Sequence, residues 1–345
     1  MTIANTQQIV GLSVFASYFA VNLGLFSAIA RSLPTGSGPK TRHGMRYLWT
    51  ALAAGSFAHT WYYMFSFMTW SFFNFEKESA ADTTQPVLVR MGNWLWNTGL
   101  FEQAWTIVCA GPQNWWWSEQ LCLFTVGSWT VFLLTEGRQR GVKYVWAYML
   151  LGQLVAISVA TNLFFLALTL APPCPPSKLK ARASLPAMLW MSVLLSLVTT
   201  VFVPLAIQNG YFLSDLLAMH VLLVIPLISP EPLLSWKRLR METSTLYGLI
   251  AFLSLVSRLR TTSSVLHSFP PHTRTSSFAI LPSLWATLHS HPAQSSIGWD
   301  VVWTTVSFMI WALPSSSRNI SGRQIALILS SGVLSIGVVA PTILA

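Results

Sequence analysis

Charge is scarce in this 345-residue chain: Asp, Glu, Lys and Arg make up 9% of it, against 53% hydrophobic residues. Water-soluble domains carry about a quarter charged residues, so too little polar surface exists here to coat a globule in water. Cysteine is almost missing as well. Cys109, Cys122 and Cys174 form no CxxC pair, which argues against a disulfide framework or a zinc site; Cys109 and Cys122 read as small apolar residues within helices. There is no Gly-rich phosphate loop, no HxxH or HxxE pair, and no aspartate pair spaced for magnesium–diphosphate binding. Neither a metal nor a cofactor is implied. Acidic residues number 10 against 20 basic ones, yet the basic residues sit in short loops between apolar runs, a juxtamembrane pattern that excludes nucleic acid as the partner.

What is present is a succession of long apolar runs. About 20 such residues cross a bilayer as a helix, which predicts spans near 9–30, 47–73, 93–111, 115–135, 144–171, 186–207, 211–229, 243–257, 297–314 and 323–343. The first run exceeds a signal-peptide core and lacks a basic leader, so it reads as a span kept in the mature protein. Pro172, Pro173, Pro175 and Pro176 end the fifth span. The stretch 258–277, rich in Ser, Thr, Arg and Pro, reads as a loop, and 278–290 as a segment too short to cross. No internal repeat, soluble domain or matched pair of interrupted helices is evident. The expectation is an all-α, polytopic transmembrane helix bundle of roughly 8–10 spans, one domain over residues 1–345. A lumenal N-terminus would put 12 of the 20 basic residues on the cytosolic side, with Arg138, Arg140 and Lys143 opposite and the sequon Asn319-Ile320-Ser321 cytosolic.

An acid inside a span is costly unless paired, hydrogen-bonded or protonated, so it is a functional candidate by default. Four of the ten acids qualify: Glu102 in FEQAW, Glu119 in WWWSEQL, Asp215 in FLSDLL and Asp300 in SIGWDVVW. Asp215, near a helix start, also fits a capping role. Asp300, Thr304, Ser307 and Trp311 share one helix face, with Trp303 beside them, and His59, Tyr62, Tyr63, Ser66 and Trp70 share another. These two faces are expected to line one cavity. The GPQN turn at 111–114 makes the helices of Glu102 and Glu119 antiparallel neighbours, bringing both carboxyls toward one pocket. Of the 17 tryptophans, Trp115, Trp116 and Trp117 fit an interfacial belt as well as a site, whereas Trp105 and Trp129 lie deeper, where an indole face steadies a cation by about 2 kcal/mol. His59 and His220 read as packed polar residues. On these residues alone a membrane enzyme, a small-solute transporter and a scaffold remain in play; an acyltransferase would need His59 or His220.

Three segments narrow the choice. FEQAW, VCAGPQNWWWSEQL and SHPAQSSIGWDVVW, within residues 93–136 and 289–311, resemble the integral-membrane terpene cyclases of fungal meroterpenoid pathways, closest to the ascochlorin/ascofuranone type. The resemblance implies an isomerase without cofactor, in which a buried carboxylic acid protonates a terminal epoxide or alkene of a farnesylated aromatic substrate and the cation cyclises along the chain. For that chemistry this sequence supplies acid candidates Glu102, Glu119 and Asp300, with Asp300 or Glu102 first, cation-facing Trp105, Trp129, Trp303 and Tyr63, and further expected substrate contacts at His59 and Asp215. The implied partners are a hydrophobic prenylated small molecule and membrane lipid, with a prenyltransferase and an epoxidase upstream and the endoplasmic reticulum as compartment. This chain is longer than the compact seven-span members of the wider group, so which acid donates the proton stays open.

Overall fold

In hydrocarbon every backbone N–H and C=O must be satisfied within its own segment, which makes helices the expected outcome for apolar runs of this length. The computed structural model describes residues 5–34, 41–80, 82–172, 184–207, 210–228, 239–274, 277–315, 330–331 and 334–345. In chain order the helices are α1 Thr6–Ser32, α2 Thr41–Glu78, α3 Val87–Asn97, α4 Leu100–Cys109 and α5 Pro112–Phe124. A π-helical turn, Thr125–Trp129, carries α5 into α6 Thr130–Gln139. Then come α7 Val145–Leu154, α8 Ile157–Leu170, α9 Ala187–Ala206, α10 Phe212–Ile228, α11 Thr243–Ser268, α12 Ser277–Leu288, α13 Pro292–Ser315 and α14 Ile336–Leu344. One antiparallel pair, β1 Ser184–Leu185 with β2 Met241–Glu242, joins the starts of α9 and α11.

The all-α bundle is therefore as expected. Four helices, at Thr6–Ser32, Ala187–Ala206, Thr243–Ser268 and Pro292–Leu313, are long and apolar enough to cross a membrane among the described residues. α2 spans 38 residues, about 57 Å at 1.5 Å per residue, but carries too many polar side chains to join them. Two expected spans are each broken in two: 93–111 at Thr98–Gly99 and 144–171 at Val155–Ala156. A third correction concerns 258–277. α11 does not end at Ser257 but runs on through Arg258 to Ser268, because Arg258 finds a carboxylate inside the bundle. Outside the described residues lie Cys174, Pro173, Pro175, Pro176, the sequon at Asn319, the first third of the expected tenth span, and the loop cations Lys40, Lys178, Lys180, Arg182, Lys237, Arg238, Arg318 and Arg323.

The core forms where helices are apolar all round. α8 and the π-turn are buried along nearly their whole lengths, as is α5 from Trp115 onward. α8 packs on α2, α7 and α13, while α5 packs on α4, α11, α13 and α14. α1, α9, α10 and the first half of α11 bury one stripe and leave large apolar side chains outward, Val14, Leu23, Phe202, Val221 and Phe252 among them. An apolar exterior of this kind suits lipid and penalises water.

A turn closes α4 against α5. Gly111 has φ +81, a left-handed conformation that a side chain disfavours. Asn114 Nδ2 then donates to the Ile107 carbonyl at 3.0 Å and Ser118 Oγ to the Val108 carbonyl at 2.7 Å, satisfying the end of α4.

Candidate functional site

A cavity of about 660 Å³ opens between α1, α2, α4, α5, α10 and α13, in the range of small-molecule sites. Most of its wall is apolar: Val14 and Phe15 from α1, Met64 and Phe67 from α2, Trp96, Phe101 and Trp105 from α3 and α4, Leu121 from α5, and Leu223 from α10. Its polar wall groups include Glu102, Gln153, His220 and Asp300.

The helix break at Val155–Ala156 forms one side of this cavity, and side chains from distant segments hold it open. Asp300 accepts from the Ile157 amide at 2.9 Å and the Ser158 amide at 2.7 Å, one on each carboxylate oxygen. Those are amides at the start of α8 that have no partner within their own helix. On the other side, the Tyr18 hydroxyl donates to the Leu154 carbonyl at 2.6 Å, at the end of α7. The Ser158 and Thr304 hydroxyls lie against the Asp300 carboxyl. A cap borrowed from α13 and another from α1 thus replace the helical bonds that a continuous span would have made.

Glu102 differs from Asp300 in every respect that matters for proton transfer. It stands in the first turn of α4, lines the cavity and is exposed. Its carboxyl folds back toward Gly99, with Oε2 3.5 Å from where a Cβ on that glycine would sit. Among the described residues its carboxyl takes part in no hydrogen bond or ion pair. Trp105 lies on the same helix and the same cavity wall.

Of the acids and aromatic residues proposed from the sequence as site residues, Glu102, Trp105 and Asp300 line this cavity, as does His220; Glu119, Asp215, Trp129, Trp303, Tyr63 and His59 do not. Glu119 does not approach the Glu102 pocket but sits wholly buried between α5 and α11. Its Oε1 accepts from Ser257 at 2.7 Å and Thr261 at 2.8 Å, and its Oε2 lies 3.6 Å from Arg258 Nη1. The Arg258 guanidinium stacks 4.0 Å over the Trp116 ring and donates to the Trp116 carbonyl at 2.6 Å. Trp129 is core, stacked on Phe124 and edge-on to Phe164. Asp215 stands in the first turn of α10, half-buried and outside the cavity wall.

The expectation that the His59 and Asp300 faces line one cavity also fails, for a reason of helical phase. α2 turns Thr60, Met64, Phe67 and Met68 to the cavity, and residues one position away point about 100° aside. His59, Tyr63 and Trp303 instead join a separate cluster. Trp303 Nε1 donates to His59 Nδ1 at 3.2 Å, His59 packs on Trp299 at 4.5 Å, and Trp299 meets Trp285 and His289. Trp311 fills the core against Phe132 and Phe165. Sequence reading missed Tyr18 and Gln153 and treated His220 as packing. The available signal was a lone Tyr, Gln or His within an otherwise apolar run, the same signal that marked the acids.

Among the described residues no three His, Cys, Asp or Glu side chains gather as a metal set. A family model described as Protein of unknown function DUF2834 matches residues 100–169, from the start of α4 to the end of α8 and thus over much of the cavity wall. No curated protein matches the chain, and no solved structure does.

Proposed function

We propose that the protein is an intramembrane terpene cyclase acting on a farnesylated aromatic substrate. The observation that carries this reading is the convergence on one apolar cavity of the two segments that resemble the meroterpenoid cyclases. Residues 93–136 supply Trp96, Phe101, Glu102 and Trp105, and residues 289–311 supply Ser296, Ile297 and Asp300. A prenyl chain partitions into such a wall, and the same wall excludes the water that would quench a carbocation.

In this reading Glu102 is the acid. Its carboxyl is open to the cavity, so its O–H is available to a terminal epoxide oxygen or alkene carbon, and general acid catalysis of this kind contributes about 10²- to 10⁴-fold. The cation moves inward along the chain past the ring face of Trp105, which stabilises it by roughly 2 kcal/mol when desolvated. Asp300 serves as a fixed negative group that also positions the start of α8, its charge preorganised by two amides. Glu119, neutralised by Arg258 outside the cavity, is assigned to structure. The substrate enters laterally from lipid, and its chemistry places a prenyltransferase and an epoxidase upstream, with the endoplasmic reticulum as the compartment where such intermediates collect.

The breaks at Thr98–Gly99 and Val155–Ala156 both border the cavity, and that favours a second reading, a small-solute transporter, since interrupted helices expose backbone ends to a solute. Two of the amides at the α8 break are already occupied by Asp300, which leaves fewer donors for such a solute. Microsomes carrying the protein, incubated with a farnesylated phenol or its terminal epoxide in the presence of chelator, separate the two. A cyclic product of unchanged mass is expected. No conversion of either substrate by folded protein, together with solute flux into proteoliposomes, would transfer the assignment to transport.

A further inference from the structure

A cationic cyclisation needs a base at its end as much as an acid at its start, and one cavity group is built for it. His220 stands on α10 and lines the cavity. Its Nδ1 lies 2.7 Å from the Leu216 carbonyl oxygen. A carbonyl has no hydrogen to give, so Nδ1 carries the proton and donates, and Nε2 of the neutral ring keeps its lone pair. Among the described residues nothing donates to Nε2. The residue is held from a second direction, because Gln153, at the broken end of α7, donates to the His220 carbonyl at 3.3 Å. The rings of Trp105 and Phe101 stand edge-on to the imidazole, with centroids 5.7 Å and 6.2 Å away. A cation resting against Trp105 therefore lies beside the imidazole ring.

We propose that His220 is the base that ends the reaction, receiving on Nε2 the proton shed by the last carbocation. The assignment rests on the cyclase reading of this cavity. In the step, a C–H bond next to the cationic carbon breaks, its electron pair becomes the π bond of the product alkene, and the proton forms the Nε2–H bond. The imidazolium then returns that proton to the Glu102 carboxylate through water admitted as product leaves. Acid and base are both restored, and no oxidant, reductant or co-reactant is consumed. Asp300 is poorly suited to the task, since each of its oxygens is already engaged by an α8 amide. The Glu102 carboxylate forms at the end of the chain where the cation starts, whereas His220 meets it across the aromatic wall.

The test is product analysis of His220→Asn, whose amide N–H can keep the bond to Leu216 while the Nε2 lone pair is gone. Protonation precedes the step that the base serves, so the variant is read by the identity of its products and not by its rate. It should lose the wild-type alkene as main product, giving alcohols from water capture or alkenes with the double bond displaced. An unchanged product profile would overturn the assignment while leaving the cyclase standing. A wild type that makes no cyclic product would remove the cyclase reading and the base with it. Should His220→Asn fail to fold, diethyl pyrocarbonate mapping of the wild type decides. His220 should be carbethoxylated in the free protein and protected by the farnesylated phenol, while the exposed His267 reacts in both samples. Reaction of His220 that is absent, or unaffected by the phenol, would overturn the proposal.

Discussion

Asp300 carries two duties, and its geometry separates them. As the partner of the Ile157 and Ser158 amides it is a helix cap supplied from 143 and 142 residues away; as a cavity wall group it is the fixed negative charge of the proposed cyclase site. Replacement by Asn substitutes a donor for one acceptor, leaving one α8 amide facing an N–H. A buried amide without a partner costs about 1–3 kcal/mol, so Asp300→Asn should lower the unfolding midpoint in detergent by a corresponding amount. Thermal unfolding followed by circular dichroism measures it, and a midpoint equal to wild type would mean that the α8 start is satisfied by other means. Asp300 and Glu102 were legible as candidates in the sequence, because an acid inside an apolar run is conspicuous, and the structure puts both on one cavity wall. Their division of labour was not, since it depends on which amides lie across the bundle.

Elements explain what single residues do not. The break between α7 and α8 contains neither proline nor glycine at Val155–Ala156, so nothing local announces it. It exists because Tyr18 of α1 and Asp300 of α13 satisfy the two loose ends, contacts that no window of a few residues contains. The same lesson holds for α11. Arg258 and the hydroxyls that follow it looked like the start of a loop, yet Glu119 accepts from Ser257 and Thr261 and lies against Arg258, so the helix continues inward. Removing one partner of a buried ion pair leaves the other charge uncompensated, at a cost of about 3–5 kcal/mol. Glu119→Gln should therefore destabilise the α5–α11 contact by that amount. The double change Glu119→Leu with Arg258→Met should recover most of it, since an apolar pair of similar volume is often neutral or better. Unfolding midpoints of the two variants check this. A stable Glu119→Gln protein that selectively loses cyclisation would instead return Glu119 to the acid candidates.

At the scale of the molecule, apolar composition fixes a helical bundle and leaves its outer helices with apolar exteriors. That much follows from 9% charged residues and runs of about 20 apolar ones. Helical phase decided what composition could not: α2 shows Thr60, Met64 and Phe67 to the cavity, and its His59 and Tyr63 to a separate aromatic cluster. The outcome is one apolar-walled chamber with an open carboxyl at Glu102, an aromatic wall at Trp105 and an amide-held carboxyl at Asp300. The central claim is that Glu102 starts a cationic cyclisation in that chamber, and its most direct test compares wild type with Glu102→Gln on the terminal epoxide of a farnesylated phenol, each shown to be folded by size-exclusion chromatography. The expected result is an isomeric cyclic product from wild type and a loss of at least about 10²-fold in its rate of formation from the variant. Equal rates from the two proteins, or no cyclic product from either, would contradict it.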